Sequence, residues 1–179
     1  MTTIEMTTVT TPIGGVTVAV RAGRLVGLVF DETGDWLRPQ LAARYPVHDI
    51  VVADDLPVAD RVRAYFAGEV DALEGIPVDT AGTPFQERVW AALRQIPVGE
   101  TISYRQLAER VGKPTAFRAV GAANGQNPVS LVTPCHRVIA ADGTLGGYGG
   151  GLDRKAWLLR HEGAEVRKPA GRDQYRLAI

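Results

Sequence analysis

The sequence predicts two domains of different class: an α/β domain with a small antiparallel sheet and helices over residues 1–82, and a mostly helical domain with a helix-turn-helix over residues 83–179. Valines alternate with other residues from Val16 to Val20, which is the period of a half-buried strand. After Thr83, apolar residues recur at three- and four-residue spacing, which is the period of an amphipathic helix.

The elements of the first domain are predicted from alternating apolar residues and from turn residues. Val26, Leu28 and Phe30 alternate again after a short turn at Ala22-Gly23, so a β-hairpin is predicted. Beyond it, the pattern predicts a helix through Leu37, Leu41 and Tyr45, a strand at residues 48–52, a helix from Val58 to near Gly68, and a connection over residues 70–82 with a short strand at residues 76–78. No chemical constellation occurs in this half, so we interpret it as a scaffold.

Two capping boxes mark the starts of helices in the second domain. Thr83 is followed by Gln86, and Ser103 is followed by Gln106, so each hydroxyl can accept a hydrogen bond from the backbone three residues later. A tight turn joins the second of these helices to a third, predicted over residues 116–125. Two short helices in this arrangement are typical of a helix-turn-helix.

The last part of the chain is predicted to be irregular except for one helix. The stretch 146–151 is too rich in glycine for a helix or a central strand. Asp153 is the predicted N-cap of a final helix that carries Trp157. The polar tail from Val166 onward is expected to be loosely ordered.

Composition excludes several classes of protein. Hydrophobic residues make up 45% and charged residues 22% of the chain, as in an ordinary globular protein. No apolar run approaches the roughly 18 residues that suggest a membrane span, and the start of the chain lacks the basic and then apolar order of a signal peptide. With one cysteine, the chain cannot form an internal disulfide, so a reducing cytoplasm is the expected compartment.

The net charge of zero conceals a difference between the two halves. Residues 1–84 carry 6 basic and 12 acidic residues, whereas residues 85–179 carry 14 and 8. Within residues 101–128, four basic residues stand against one glutamate. This distribution favours contact between the second half and a polyanion. The alternative is that the two halves differ in charge only because their surfaces are solvated differently, without any polyanionic partner.

The single cysteine, Cys135, lies between Pro134 and His136. A free cysteine is most often a small buried hydrophobe. His136 and Arg137, however, are unusual neighbours for an inert thiol, because nearby positive charge increases the fraction of thiolate, which is the nucleophilic form. We therefore interpret Cys135 as a candidate nucleophile.

The run Pro-Cys-His-Arg-Val at residues 134–138 resembles the active-site signature of the O6-alkylguanine-DNA alkyltransferases, also called methylated-DNA–protein-cysteine methyltransferases. The resemblance covers residues 84–163 in the order and spacing of that family. It continues through Thr101-Ile102-Ser103-Tyr104, Arg118-Ala119-Val120-Gly121, Asn127-Pro128, Gly147-Tyr148-Gly149-Gly150-Gly151 and His161-Glu162-Gly163.

The resemblance implies a catalytic set. Cys135 is the expected nucleophile, and His136 is expected to take the thiol proton through a bound water. Glu162 is expected to orient His136 and to favour its cationic form, in the manner of a triad. Tyr104 is expected to donate a proton or a hydrogen bond to the departing guanine, and Asn127 to act as the hinge before the active-site segment. No cofactor is expected, and each molecule would react once.

The partner implied by the resemblance is double-stranded DNA that contains O6-alkylguanine. The damaged nucleotide would be flipped out of the duplex, and Arg118 would fill the gap that it leaves. The helix-turn-helix is expected to lie in the minor groove, with Ser103, Tyr104, Ala119 and Gly121 as further DNA contacts. A monomer is expected, and cooperative binding on DNA stays open.

Five residues are implied as the lining of the base pocket: Val138, Tyr148, Gly149, Gly150 and Lys155. For Lys155, a charge on the helix surface is an equal alternative. The chain departs from the family pattern at Thr133, where an apolar residue is more usual, and at Gly149, where some relatives carry serine. It has no cysteine and histidine set for the zinc site of some relatives, so no metal is predicted.

Two other functions fit parts of the sequence. A non-enzymatic regulator would use the helix-turn-helix alone and would be indifferent to the loss of Cys135. A cysteine hydrolase would turn over many times on acyl substrates and would leave the basic helix-turn-helix unexplained. The product found on Cys135 after one exposure to alkylated DNA separates these three possibilities.

Overall fold

The computed structural model describes residues 2–169, 171 and 174–178, which form six α-helices, a four-stranded sheet and two short strand pairs. The chain divides into two compact units. The first unit holds the chain up to Ala81 together with Pro128–Val132, and the second holds Gly82–Asn127 together with the chain from Thr133 onward. Among the described residues, none of the helices has both the length and the apolar character that crossing a membrane requires.

The sheet of the first unit is mixed, which corrects the antiparallel sheet predicted above. Its strands are β1 (Thr2–Thr11), β2 (Gly14–Arg21), β3 (Arg24–Val29) and β4 (His48–Val52), in the spatial order β3-β2-β1-β4. The first three pair antiparallel, but β4 runs parallel to β1. The chain passes through helix α1 (Leu37–Arg44) before β4, and such a crossover allows parallel pairing.

Strand β1 was not predicted, because its pattern is interrupted. Ile4 and Met6 are buried two residues apart, but the next buried residue, Val9, follows after three. The predicted hairpin of β2 and β3 is confirmed. The short strand expected at residues 76–78 is reduced to a single bridge between Leu25 and Val78.

The core of the first unit is apolar. Helix α1 packs on the sheet at Gly27, where a Cβ atom would lie 2.8 Å from the Leu37 side chain. A second helix, α2 (Pro57–Phe66), buries Val62 and Tyr65. The buried cluster comprises Ile4, Met6, Ala19, Val26, Val29, Leu37, Leu41 and Tyr45.

The segment Pro128–Val132 joins the first unit by strand-like pairing with β3. The Leu28 backbone N–H donates to the Pro128 carbonyl at 2.9 Å, and the Ser130 N–H donates to the Leu28 carbonyl at 2.8 Å. The sequence boundary at residue 82 did not anticipate that the chain returns to the first unit at this point. The return directly precedes the segment that leads to Cys135.

The second unit contains the remaining helices and short strands. They are α3 (Pro84–Leu93), β5 (Ile102–Ser103), α4 (Tyr104–Arg110), α5 (Phe117–Gly125), a 3₁₀ turn at Cys135–Arg137, β6 (Val138–Ile139), α6 (Leu152–His161), β7 (Val166–Arg167) and β8 (Arg176–Leu177). Both predicted capping boxes are confirmed. The Thr83 hydroxyl accepts from the Gln86 N–H at 3.2 Å, and the Ser103 hydroxyl accepts from the Gln106 N–H at 3.1 Å.

Two predictions for the end of the chain are wrong. Helix α6 begins after Gly151, and Asp153 lies inside its first turn, where the carboxylate accepts a hydrogen bond from the Tyr175 hydroxyl. The tail is not loosely ordered at Val166, because β7 pairs antiparallel with β8. Val166, Tyr175 and other apolar residues of this region pack with Leu159 of α6, and this burial compensates for the polar composition.

Candidate active site around Cys135

Cys135 begins a short 3₁₀ turn that leads directly into β6. Cys135 is only 5% exposed and belongs to the apolar cluster of the second unit. Strand β6 pairs in parallel with β5, so that Ile102 lies opposite Val138, and β5 leads straight into helix α4. The cysteine is therefore held by two strands whose neighbouring residues are fixed in register.

Two buried amide side chains hold the backbone on either side of Pro134. The Asn127 Nδ2 group, just beyond the end of α5, donates to the Thr133 carbonyl at 2.7 Å. The Asn124 Nδ2 group, within α5, donates to the Cys135 carbonyl at 3.5 Å. These bonds connect helix α5 to the segment that carries the cysteine. The role of Asn127 as a hinge stays a prediction.

Glu162 lies 26 residues beyond His136 in sequence, yet their side chains are in direct contact. The Glu162 Oε1 atom lies 2.9 Å from His136 Nε2. Arg137 donates from Nε and Nη2 to the two carboxylate oxygens, at 2.9 Å each, and from Nη1 to the Ile96 carbonyl at 2.6 Å. We call His136, Arg137 and Glu162 the charged cluster. All three residues are buried.

The protonation states of the charged cluster follow from burial and mutual attraction. Burial lowers the pKa of His136 below its ordinary 6.5, and the carboxylate of Glu162 offsets this only in part. Burial alone would raise the pKa of Glu162, but the charge and hydrogen bonds of His136 and Arg137 hold it well below its ordinary value. Glu162 does favour the cationic imidazole, as expected, but burial outweighs this effect.

A neutral His136 has one nitrogen available as a base. With its Nε2–H donated to the carboxylate, the lone pair is on Nδ1. Among the described residues, this buried Nδ1 has no hydrogen-bond partner. The charged cluster can therefore receive a proton at His136 Nδ1 and stabilise the resulting imidazolium through Glu162.

Lys155 is fully buried, at 0% exposure, so the alternative of a helix-surface charge is wrong. Its ammonium group donates to the Val138 carbonyl at 2.6 Å, to the Gly147 carbonyl at 3.1 Å and to the Leu145 carbonyl. Burial lowers the pKa of Lys155 from 10.5 to about 8, and the charge of Cys135 works in the opposite direction. Lys155 thus ties β6 to the loop that carries the glycine-rich stretch.

Tyr104 lies between this loop and helix α5. Its hydroxyl lies 3.5 Å from the Gly147 carbonyl. Gly146 has a φ of +71°, and a Cβ atom there would lie 3.0 Å from the Tyr104 ring, so glycine permits the close approach of the loop. Burial raises the pKa of Tyr104, and the charge of Cys135 adds to this effect.

Tyr148 packs against the cluster that contains Cys135. Burial raises the pKa of Tyr148 well above 10, with a further contribution from Cys135. Among the described residues, its buried hydroxyl oxygen has no hydrogen-bond partner. Both tyrosines therefore keep their protons at neutral pH and are potential donors beside the cysteine.

The other residues implied as DNA contacts lie on helix α5 or cap helix α4. Arg118 and Ala119 are exposed on α5, and Gly121 is half-buried, with its Cβ position 3.8 Å from the Tyr104 ring. The Ser103 hydroxyl is engaged as the cap of α4. None of these four residues belongs to the charged cluster.

The surroundings of Gly149, Gly150 and Thr133, a position where the chain departs from the family pattern, differ from one another. Gly149 is exposed, and a Cβ atom there would meet no other atom within 4 Å, so the space would admit a serine. The Gly150 carbonyl accepts from Arg154 at 3.2 Å. Thr133 is fully buried, and among the described residues its hydroxyl has no hydrogen-bond partner.

Sequence reasoning missed the roles of two side chains. Arg137 is part of the signature at residues 134–138, but its bidentate bond to Glu162 could not be inferred from the distance between the two residues in the sequence. Asn124 had a usable signal, because it lies four residues after Val120 and next to Ala123, on the buried face of α5. A polar residue on an apolar helix face indicates a buried hydrogen bond.

The part of the chain that the structure describes contains no candidate metal site. No three histidine, cysteine, aspartate or glutamate side chains there form a group that could hold an ion.

Comparison with known proteins identifies the same region. Residues 84–164 match the family model described as 6-O-methylguanine DNA methyltransferase, DNA binding domain. The methylated-DNA–protein-cysteine methyltransferase of Shigella flexneri is 58% identical over 106 residues, which are 59% of this chain and 62% of that protein. The chain thus spans less than two thirds of that relative's length.

Other relatives match over most of their length. The methylated-DNA–protein-cysteine methyltransferase of Mycolicibacterium paratuberculosis is 47% identical over 160 residues, which cover 89% of this chain and 92% of that protein. A crystal structure of Mycobacterium tuberculosis OGT in complex with DNA superposes with a TM-score of 0.72 at 42% identity, over 89% of this chain and 92% of that one. The family predicted from the sequence is confirmed, and this chain belongs to the methylated-DNA–protein-cysteine methyltransferases.

Proposed function

We propose that this protein repairs O6-alkylguanine in DNA by transferring the alkyl group to the Cys135 sulfur. A single observation carries the proposal: the chain's one cysteine lies next in sequence to a buried histidine that is bonded to Glu162 at 2.9 Å. This arrangement matches the nucleophile, base and orienting group of a triad. The family membership supports the same reaction.

The proposed reaction forms one bond and breaks one. His136, neutral because of its burial, takes the thiol proton at Nδ1 through a bridging water, and Glu162 stabilises the imidazolium. The thiolate attacks the alkyl carbon, an S–C bond forms, and the C–O6 bond breaks. The guanine leaves as an anion that takes a proton from Tyr104, whose pKa is raised and whose proton is therefore retained until this step.

The thioether is a stable product. We therefore propose one turnover per molecule and no cofactor. Val138, Tyr148, Gly149 and Gly150 would line the pocket for the extruded base. Lys155 would hold this pocket in shape by its bonds to three carbonyl groups.

The proposed partner is duplex DNA, bound by α4, the turn and α5 acting as a helix-turn-helix. Support comes from the basic balance of residues 101–128, and from the DNA complex of the M. tuberculosis relative. Arg118 is exposed on α5 and is the proposed filler of the gap left by the flipped nucleotide. We place the contact in the minor groove, with the protein acting as a monomer.

The test uses a duplex that contains one O6-methylguanine. After one exposure, mass spectrometry of the digested protein should show a single added methyl group on the Cys135 peptide. Cys135→Ser should still bind the duplex, measured by fluorescence anisotropy, but should acquire no methyl group. Loss of the lesion while the wild-type protein stays unmodified would contradict the proposal, and so would repeated turnover.

A further inference from the structure

Phe117, the first residue of helix α5, is unusually exposed for a large apolar side chain. It is 48% exposed, and the other large hydrophobic side chains of comparable exposure among the described residues, Trp36, Val47, Val51 and Val52, all belong to the first unit. Phe117 is not part of the apolar cluster that holds α3, α4 and α5 together. Packing within the chain therefore does not account for its presence.

Phe117 lies on the face of helix α5 that also carries Gly121. Residues four apart share a helix face, so Phe117 lies one turn before Gly121 on the same side. At Gly121, a Cβ atom would lie 3.8 Å from the Tyr104 ring. The face that starts at Phe117 thus continues to Tyr104, the side chain proposed to contact the departing base.

The surroundings of Phe117 indicate a nucleic acid rather than an apolar partner. Arg118 follows directly and is exposed, and Lys113 lies in the preceding turn, also exposed. Further along the exposed side of α5, Ala119, Ala122 and Gly125 present no bulky side chain. A flat apolar ring among cations suits a partner with phosphates outside and aromatic faces inside, which is DNA with its base stack opened.

We propose that Phe117 is a wedge that packs on the base pair next to the extruded alkylguanine, beside Arg118. This inference rests on the proposed function. Extruding a nucleotide exposes the flat faces of the neighbouring bases, and unstacking costs free energy. An aromatic ring against one of those faces recovers part of the lost stacking. Phe117 therefore promotes reaction only where a stacked base must be taken out of a duplex.

The experiment compares two substrates with the same lesion. The rate of methyl transfer to Cys135 is measured in single turnover with an O6-methylguanine duplex and with the same strand unpaired. Phe117→Ala should react roughly tenfold more slowly than wild type on the duplex, and at nearly the wild-type rate on the single strand. Phe117→Trp, which keeps a flat aromatic ring, should restore the duplex rate.

A matched control is Trp36→Ala, which removes an aromatic side chain of similar exposure, 52%, from the first unit. It should change neither rate. Equal duplex rates for Phe117→Ala and wild type would overturn the inference, and so would an equal loss on both substrates. If the proposed function itself fails, the wild-type protein transfers nothing to Cys135 from either substrate.

A second measurement does not depend on the reaction. In the Cys135→Ser background, 2-aminopurine placed beside the lesion reports unstacking by its fluorescence. Adding Phe117→Ala should change this signal at saturating protein, because the wedge no longer contacts the neighbouring base. An unchanged signal would overturn the inference even if the duplex rate fell.

Discussion

The two units differ in what they bury. In the first unit, the buried polar residues among those described are Thr17 and Thr80, and its core is otherwise apolar. In the second unit, the buried set includes all the buried histidine, arginine, lysine and carboxylate side chains of the described chain: His136, Arg137, Lys155 and Glu162. Burying charge is costly unless each charge is paired and hydrogen-bonded. The second unit accepts this cost beside Cys135, and we propose that the buried charges serve the reaction.

The pairing in the second unit is nearly complete, and the exceptions are informative. Glu162 is bonded to both His136 and Arg137, and Lys155 is bonded to three carbonyl groups. Among the described residues, the buried side-chain atoms without a hydrogen-bond partner in the second unit lie on Asn124, Thr133, His136 and Tyr148. Thr133 and His136 belong to the segment that holds Cys135, Asn124 donates to its backbone, and Tyr148 packs against the cluster that contains the cysteine. The charged side chains of the second unit are thus held in place by their partners, whereas a few buried polar atoms are available to a reacting group or to water.

Removing one charge of the charged cluster should have the largest effect. Glu162→Gln leaves the buried guanidinium of Arg137 without a counter-ion, so we expect the free energy of unfolding to fall by about 3–5 kcal/mol. Methyl transfer to Cys135 should slow as well, because His136 loses the carboxylate that stabilises its cation. Urea unfolding and single-turnover kinetics measure the two effects.

The matched control for Glu162→Gln is Glu165→Gln. Glu165 also pairs with an arginine, Arg167, but both side chains are exposed. This variant should be indistinguishable from wild type in stability and in rate. If both glutamate variants behave alike, the buried cluster has no special role.

Truncating the apolar core of the first unit should separate stability from chemistry. Leu41→Ala empties a fully buried site and should lower the free energy of unfolding by about 3 kcal/mol. Well below the unfolding midpoint, the rate of methyl transfer should equal that of wild type. A large fall in rate for the folded variant would show that the first unit contributes to the reaction.

Removing the ammonium group of Lys155 should have an intermediate effect on stability. Lys155→Met keeps most of the side-chain volume but leaves three carbonyl groups without this donor, two of them on the buried residues Val138 and Leu145, so we expect a loss of about 2 kcal/mol. Transfer should also slow, because the glycine-rich loop is no longer tied to β6. Lys168→Met, at an exposed lysine, is the control and should change neither quantity. A wild-type rate for Lys155→Met would exclude a positioning role.

The charged cluster should make the protein sensitive to acid. The pKa values of His136 and Glu162 are both lowered in the native state, so the unfolded chain binds more protons than the native protein at low pH. Stability should therefore decrease as the pH falls below the ordinary histidine value of 6.5, and decrease further below the ordinary glutamate value of 4.5. Unfolding by urea across this range measures it, and His136→Gln should remove the first part of the decrease.

The smallest expected effect is on the titration of Lys155. Its ¹³Cε resonance should titrate with a pKa of about 8 instead of 10.5, because burial disfavours the ammonium ion. In Cys135→Ser the pKa should fall further, since the charge of Cys135 raises it in the native protein. An unchanged value in Cys135→Ser would show that the sulfur and the ammonium group do not interact.

Predictions based on neighbouring residues were reliable where the interaction itself is local. The capping boxes at Thr83 and Ser103 join residues three apart, so the sequence contains both partners of each bond. Asp153 failed as a cap because Gly151 precedes the helix and the carboxylate has a distant partner in Tyr175. The identity of the family was predicted from the signature around Cys135 and is confirmed by the relatives.

By itself, then, the sequence determined the starts of helices α3 and α4, the hairpin of the first unit, the family, and the single cysteine on which the proposed reaction depends. Only the tertiary structure decided that β4 runs parallel to β1, that Arg137 shares Glu162 with His136, and that Lys155 is buried while its neighbour Arg154 is not. The reason is that each of these features joins residues far apart in the chain. Whether a charge is paired and buried depends on which distant groups the fold brings within hydrogen-bond reach.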